Sequence, residues 1–358
     1  MGENSMEAYR MDESHGMEFG MYTLGDHLPD PHTGKQISAE ERIHEFVEYA
    51  KLAEQAGLDF FSIGESHQAY FVSQAHAVLL GAIAQATETI KLGSSSTIIS
   101  TSDPVRVYEN FATLDLLSKG RMEIIAGRAS RIGLFKLLGY DEADYEALFE
   151  EKFALLQQIN QEKVINWEGE FRAPLENAEI IPRPLHGSMP IWRAVGGRGA
   201  SALKAGYAGV PMALATLGGP AMAFQSTIEA YRDALEKSGF NPAEYPVATT
   251  GFFYVAETTQ EAFRDMYPYI NEGMLKTNGQ GFPKQLFAQA KDSRSIINIG
   301  STQEVIEKIL YQHEMFGHQR YMAQIDFGGL PFDKVMKNIE RIGTDILPAI
   351  KKYTAKTK

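Results

Sequence analysis

The chain has 358 residues, of which 44% are hydrophobic and 22% charged, a formal net charge of −12 at neutral pH and no cysteine. This is the composition of a folded protein with enough apolar side chains for a sizeable core. The acidic balance, with no basic run between aromatics, excludes a nucleic-acid surface, and the lack of cysteine excludes disulfides, thiol nucleophiles and cysteine-held metal clusters. Residues 77–84 are typical of the apolar stretches and fall well short of the about 20 residues a membrane helix needs. No apolar secretion core opens the chain, so a cytoplasmic protein without membrane contact is expected.

Residues 1–16 are polar and aperiodic, which predicts a flexible leader, followed by one domain over 17–358. MEFGMYTL at 17–24 reads as the first strand, and a Pro/Gly/His loop follows at 25–36. Ser38 with Glu41 forms a capping box for a helix whose apolar face is Ile43, Phe46, Val47, Ala50 and Ala53 and which Gly57 stops. Residues 60–64 make a second strand ending in Glu65-Ser66-His67, and 74–86 a second helix. Ile90, Leu92, Thr97, Ile98 and Ile99 give the third strand its apolar and β-branched content, interrupted by Ser94, Ser95 and Ser96. Asp103-Pro104 then starts a helix with an N-cap carboxylate and a proline at the first helical position. Val107, Phe111, Leu114 and Leu117 form its buried stripe, and Lys119-Gly120 closes it. The strand at 122–126 ends in Gly127-Arg128-Ala129-Ser130-Arg131, and two arginines there invite an anion.

A helix is expected at 145–160 and an inserted, proline-rich excursion at 166–190. The fifth strand, 191–195, ends in Gly196-Gly197-Arg198-Gly199 ahead of a helix with Ser201 in its first turn. Strands at 211–215, 247–255 and 321–325 complete the set, with helices at 222–237, from 259, from the capping box of Ser301 and Glu304 to Gly317, and at 332–350. Residues 278–298 read as a long late loop with a short helix. Eight alternations of strand and helix predict a closed (β/α)8 TIM barrel. An open doubly wound sheet is the alternative, but neither a glycine fingerprint after the first strand nor a P-loop supports it.

The 196–199 turn before Ser201 brings free N–H groups, a hydroxyl and a guanidinium to a helix N-terminus, which suits a phosphate; a tight turn needing glycine is an equally good account of it. Arg128, at the same carboxyl face of the barrel, tips the balance toward the anion. Glu65 and His67 can handle a proton or simply fix a loop. Serines 94–96 can be backbone-bonded hydroxyls in a narrow barrel layer. His76, His186, His313 and His318 lack metal-ligand spacing and are assigned no chemistry.

The run DPVRVYENFATLDLLSKGRMEIIAGR, residues 103–128, resembles the matching strand, helix and strand of the bacterial luciferase-like flavin-dependent monooxygenases, and a weaker similarity extends from residue 19 to about 350. The resemblance implies a (β/α)8 barrel in which Arg128, Val195, Gly196, Gly197, Arg198 and Ser201 surround the phosphate of flavin mononucleotide (FMN). It also implies a bulge with a non-proline cis peptide at Ser95-Ser96 against the flavin ring, and a catalytic or substrate-orienting role for His67 beside Glu65. The implied function uses reduced FMN, supplied by a separate flavin reductase, and O2 to oxygenate a small organic substrate, in a homodimer joined near the second and third strands. Relatives that transfer hydride with a deazaflavin, and non-catalytic partner subunits, supply the alternatives. Two positions depart from the luciferases: Glu146 stands where they have a phosphate-binding arginine, leaving Arg131 or Arg198 to supply the charge, and Ser66 stands where they have the catalytic histidine.

Overall fold

A computed structural model describes residues 6–129, 134–196 and 199–356. In chain order the strands are β1 Glu18–Thr23, β2 Phe60–Ile63, β3 Lys91–Ser94, β4 Thr97–Ile98, β5 Met122–Gly127, β6 Val164–Trp167, β7 Leu175–Glu179, β8 Ile191–Val195, β9 Met212–Ala215, β10 Val247–Ala256, β11 Asn298–Ser301 and β12 Arg320–Gln324. Parallel pairing runs β1-β2-β3-β5-β8-β9-β10-β12 and returns from β12 to β1, closing the expected eight-stranded barrel. The surrounding helices are α1 Ala39–Gln55, α2 His76–Ala86, α3 Pro104–Leu117, α4 Leu134–Leu138, α5 Tyr145–Gln161, α6 Gly199–Tyr207, α7 Met222–Lys237, α8 Thr259–Asn278, α9 Lys284–Gln289, α10 Thr302–Phe316, α11 Phe332–Arg341 and α12 Leu347–Thr354.

The predicted caps are present. Ser38 Oγ accepts from Glu41 N at 3.0 Å, Asp103 Oδ1 accepts from Val105 N at 2.9 Å with Pro104 next to it, and Gly317 ends α10 in a left-handed conformation. Each satisfies backbone groups that a helix end leaves without partners.

Four stretches differ from expectation. Residues 6–16 plug the amino-terminal end of the barrel rather than hanging loose. Met6 and Met11 are almost fully buried beside Trp192, and Arg10 Nη1 donates to Gly120 O at 2.5 Å and Met122 O at 3.1 Å. Within the inserted excursion, β6 and β7 form an antiparallel hairpin carrying a register irregularity. The late loop holds the expected short helix, α9, but then adds a strand, β11, which pairs with the last four residues of the unusually long β10. The final helix is broken by a π turn at Ile342–Ile346 between α11 and α12.

The lower barrel interior is ionic. Arg320, without solvent exposure, donates to Glu18 and to both oxygens of Glu123, and its guanidinium lies 4.1 Å from the centre of the Phe60 ring. Lys91 is the second cation on Glu18, so two carboxylates meet two cations. Burial alone would raise the Glu18 carboxyl, but Arg320 and Lys91 hold it below its ordinary value. Trp192 Nε1 donates to Glu123 at 2.9 Å, completing the layer on which the upper site rests. Buried charges of this kind are tolerated when paired and hydrogen-bonded throughout.

Candidate active site

At the carboxyl face, the third strand bulges where its serines interrupt the apolar pattern. Leu92 and Gly93 pair with Met122 and Glu123, whereas Thr97 and Ile98 pair with Ala126 and Gly127, so three residues (94–96) oppose two (124–125). The Ser95-Ser96 peptide bond within the bulge is cis. Ser62 and Ser95 share a hydroxyl hydrogen bond of 2.7 Å, and Glu65 N donates to Ser96 O at 3.0 Å. A side chain at Gly64 would place its Cβ 2.5 Å from Ser95 O, so only glycine lets the end of β2 pass so close to the bulge.

Glu65 ties this ledge to two imidazoles. Its Oε2 accepts from Ile98 N at 2.7 Å, its Oε1 is 2.7 Å from His67 Nε2, and His76 Nδ1 approaches Oε2 at 3.9 Å. His76 Nε2 lies 2.8 Å from Thr97 Oγ1, so it braces the strand immediately after the bulge. Burial lowers the His76 pKa, which keeps this ring neutral. His76 was assigned no chemistry from the sequence. Its signal was a histidine opening the otherwise apolar helix HAVLLGAIAQA, and only the fold brings it to Glu65.

Gly127 lies against the bulge, and the next residue begins a cluster of cations and carboxylates. Arg128 Nη1 donates to both oxygens of Glu146 at 2.6 Å, and Nη2 donates to Ser201 Oγ at 2.6 Å. Its guanidinium stacks on Phe149 at 4.8 Å, while Arg193 stacks on that ring at 4.7 Å and also donates to Ser201 Oγ, at 3.2 Å. Arg193 and Lys204 both bind Glu150. Burial opposes ionisation of Glu150, but its hydrogen bonds and proximity to Arg193 and Lys204 hold its pKa at about 2. Arg193 was missed in the sequence, although an arginine inside the apolar strand IWRAV was a visible signal. Val195 is buried, so it offers its backbone, and a Cβ at Gly196 or Gly199 would meet nothing within 4 Å. Gly197 and Arg198, like Arg131, lie outside the described residues.

A third cluster sits where β1 and β12 end. Arg42 Nη2 donates to Asp326 Oδ2 at 2.8 Å and lies 3.6 Å from Asp26 Oδ1; Thr23 Oγ1 also donates to Asp326, and Gly328 N to Asp26. Both carboxyls are buried, and each retains one oxygen without a hydrogen-bond partner. Burial raises both pKa values against the pull of Arg42. Among the described residues no cluster of three or more His, Asp or Glu could hold a metal ion, and no helix is long and apolar enough to cross a membrane.

The sequence profile described as luciferase-like monooxygenase matches residues 17–319. The chain belongs to the luciferase-like monooxygenase family. It is therefore an enzyme of the oxidoreductase class. Among relatives, a luciferase-like monooxygenase of Escherichia coli is 27% identical over 262 residues, covering 71% of this chain and 72% of the relative. The oxygenase component of a flavin-dependent trigonelline monooxygenase of Acinetobacter baylyi is 22% identical over 365 residues, covering 93% and 95%. Among solved structures, monooxygenase RslO1 of Streptomyces bottropensis superposes with a TM-score of 0.79 at 24% identity, covering 93% of this chain and 99% of that one. The oxygenating constituent of 3,6-diketocamphane monooxygenase of Pseudomonas putida, in complex with FMN, gives 0.75 at 17%, covering 93% and 98%. An F420-dependent secondary alcohol dehydrogenase gives 0.72 at 16%, covering 94% and 99%. At these identities the solved structures establish the shared fold.

The residues present fit a cofactor with a phosphate tail. Three cations, Arg128, Arg193 and Lys204, converge beside the start of α6, and Arg128 already takes a carboxylate, that of Glu146, on one amino group.

Proposed function

We propose that this chain is the oxygenating component of a two-component monooxygenase that takes reduced FMN from a separate flavin reductase and, with O2, oxygenates a small organic substrate. The observation that carries this reading is Arg128, held at the carboxyl end of β5 with one amino group on Ser201 and the other on an exchangeable carboxylate. When bound, reduced FMN supplies the electrons with which O2 is activated.

In this reading Arg128 and Ser201 bind the phosphate, with Arg193 and Lys204 adding charge behind them. The bulge at Ser95 and Ser96 gives the ring a backbone ledge, and the Ser62–Ser95 hydrogen bond stiffens it from below. Glu65 fixes one nitrogen of His67, and the ring as a whole can then give or take a proton at the substrate. Family membership and the relatedness to a named oxygenase component support this assignment.

The similar F420-dependent alcohol dehydrogenase structure motivates a second reading, hydride transfer with a deazaflavin. Anaerobic titration of the protein with reduced FMN, oxidised FMN and a deazaflavin separates the two. Tightest binding of reduced FMN is the expected result; binding of the deazaflavin without FMN reverses the assignment.

A further inference from the structure

We propose that Glu146 is a tethered anion occupying the phosphate seat, which must swing out when a flavin phosphate enters, so that cofactor binding here is an exchange of one anion for another. This rests on the flavin reading above and adds a regulator to the same site.

The two carboxylates of the cluster are not equivalent. Glu150 is shared by Arg193 and Lys204 and kept ionised by them. Glu146 has a 58% exposed side chain in the first turn of α5, meets Arg128 with both oxygens, and lies 3.8 Å from Lys204. Its departure costs little solvation, because it already faces water.

Arg128 does not depend on Glu146 for its position. The guanidinium is stacked on Phe149, lies 6.0 Å from the Tyr145 ring, and is anchored through Nη2 to Ser201. When Glu146 leaves, a planar donor pointing outward remains, matched in geometry to a phosphate. The charges agree: three cations against two carboxylates leave one net positive charge, and withdrawing Glu146 leaves two, enough for a phosphate dianion. A seat with its own occupant releases its ligand readily, which suits a cofactor that arrives from, and returns to, another protein.

The test is equilibrium binding of FMN and riboflavin to the parent, Glu146→Gln, Glu146→Ala and Arg128→Ala, with inorganic phosphate as competitor. Glu146→Gln and Glu146→Ala should each tighten FMN by about 2- to 5-fold, the scale of one partly exposed ion pair. Riboflavin affinity should stay within about 2-fold of the parent, and inorganic phosphate should compete with FMN at lower concentration in the Glu146 variants. Thermal melting confirms that both variants fold. FMN binding unchanged or weakened in both variants overturns the proposal, as does an equal gain for riboflavin. If Arg128→Ala weakens FMN while the Glu146 variants change nothing, the gate falls and the cofactor reading stands. If the parent binds neither flavin, both fall.

Discussion

Gly127 packs against Ser96 so closely that any Cβ at 127 would overlap the Ser96 hydroxyl and lie 2.8 Å from Ser96 Cβ. The same contact joins the bulge to the strand that carries Arg128, so the two halves of the site share one backbone relationship. Gly127→Ala should therefore displace the bulge or the end of β5. Overpacking of this kind costs typically about 1–3 kcal/mol. Chemical denaturation should show that loss, and FMN and riboflavin binding should weaken together. Wild-type stability and binding would mean that the contact relaxes freely.

Loss of the His67 imidazole should reduce turnover while sparing flavin affinity, because His67 is paired with Glu65 beside the bulge, away from the Arg128 cluster. A general acid–base group contributes about 10² to 10⁴ in rate. The measurement is single-turnover oxygenation by His67→Ala, once a substrate is in hand, alongside FMN binding. Unimpaired turnover would make the Glu65–His67 pair a loop brace.

Much of this molecule is legible in the sequence because it is local. Ser38 and Asp103 cap the helices they precede, and of the stripe expected on α3 Val107, Phe111 and Leu114 are buried, whereas Leu117, at the helix end, is exposed. The cationic cluster was half legible: Arg128 at a strand end and Ser201 in a first helical turn stand in recognisable motifs, but Arg193 sits in the middle of a strand and Glu146 reads as a departure, not as a partner. His76 and the pair Asp26 and Asp326 were illegible, since their partners lie 11 to 303 residues away in the chain. The plug of residues 6–16 was hidden by its polarity, because what anchors it is two methionines and one arginine meeting backbone carbonyls.

The Asp26–Asp326 pair sets a direction for stability against pH. Burial raises both carboxyls above their unfolded values, Asp326 to about 7. A raised carboxyl stabilises the fold fully below its unfolded pKa, near 3.9 for Asp, and that contribution is lost as pH rises through the folded value. Asp326→Asn removes one of the two titrating groups. Relative to the parent it should gain stability at pH 8 compared with pH 5, by at most about 1.4 kcal/mol per pH unit across the window. Urea unfolding at both pH values checks this, and an equal difference at the two would contradict it.

Val78 on α2 and Leu116 and Leu117 at the end of α3 are exposed large apolar side chains beside the second and third strands. We propose that this face forms a homodimer. Sedimentation at micromolar concentration should give a dimer that Val78→Glu with Leu117→Glu dissociates; a monomeric parent would oppose the assignment.

Binding of FMN and riboflavin to Arg128→Ala bears most directly on the assignment of the site. Arg128 should be the principal charged ligand of the phosphate, and hydrogen bonds to a charged group contribute about 1.5–3 kcal/mol. FMN should therefore bind the variant about 10- to 100-fold more weakly, while riboflavin, which has the ring without the phosphate, should bind variant and parent alike. If riboflavin weakens as much as FMN, Arg128 supports the fold or the ring pocket, and the phosphate seat is not where this account puts it.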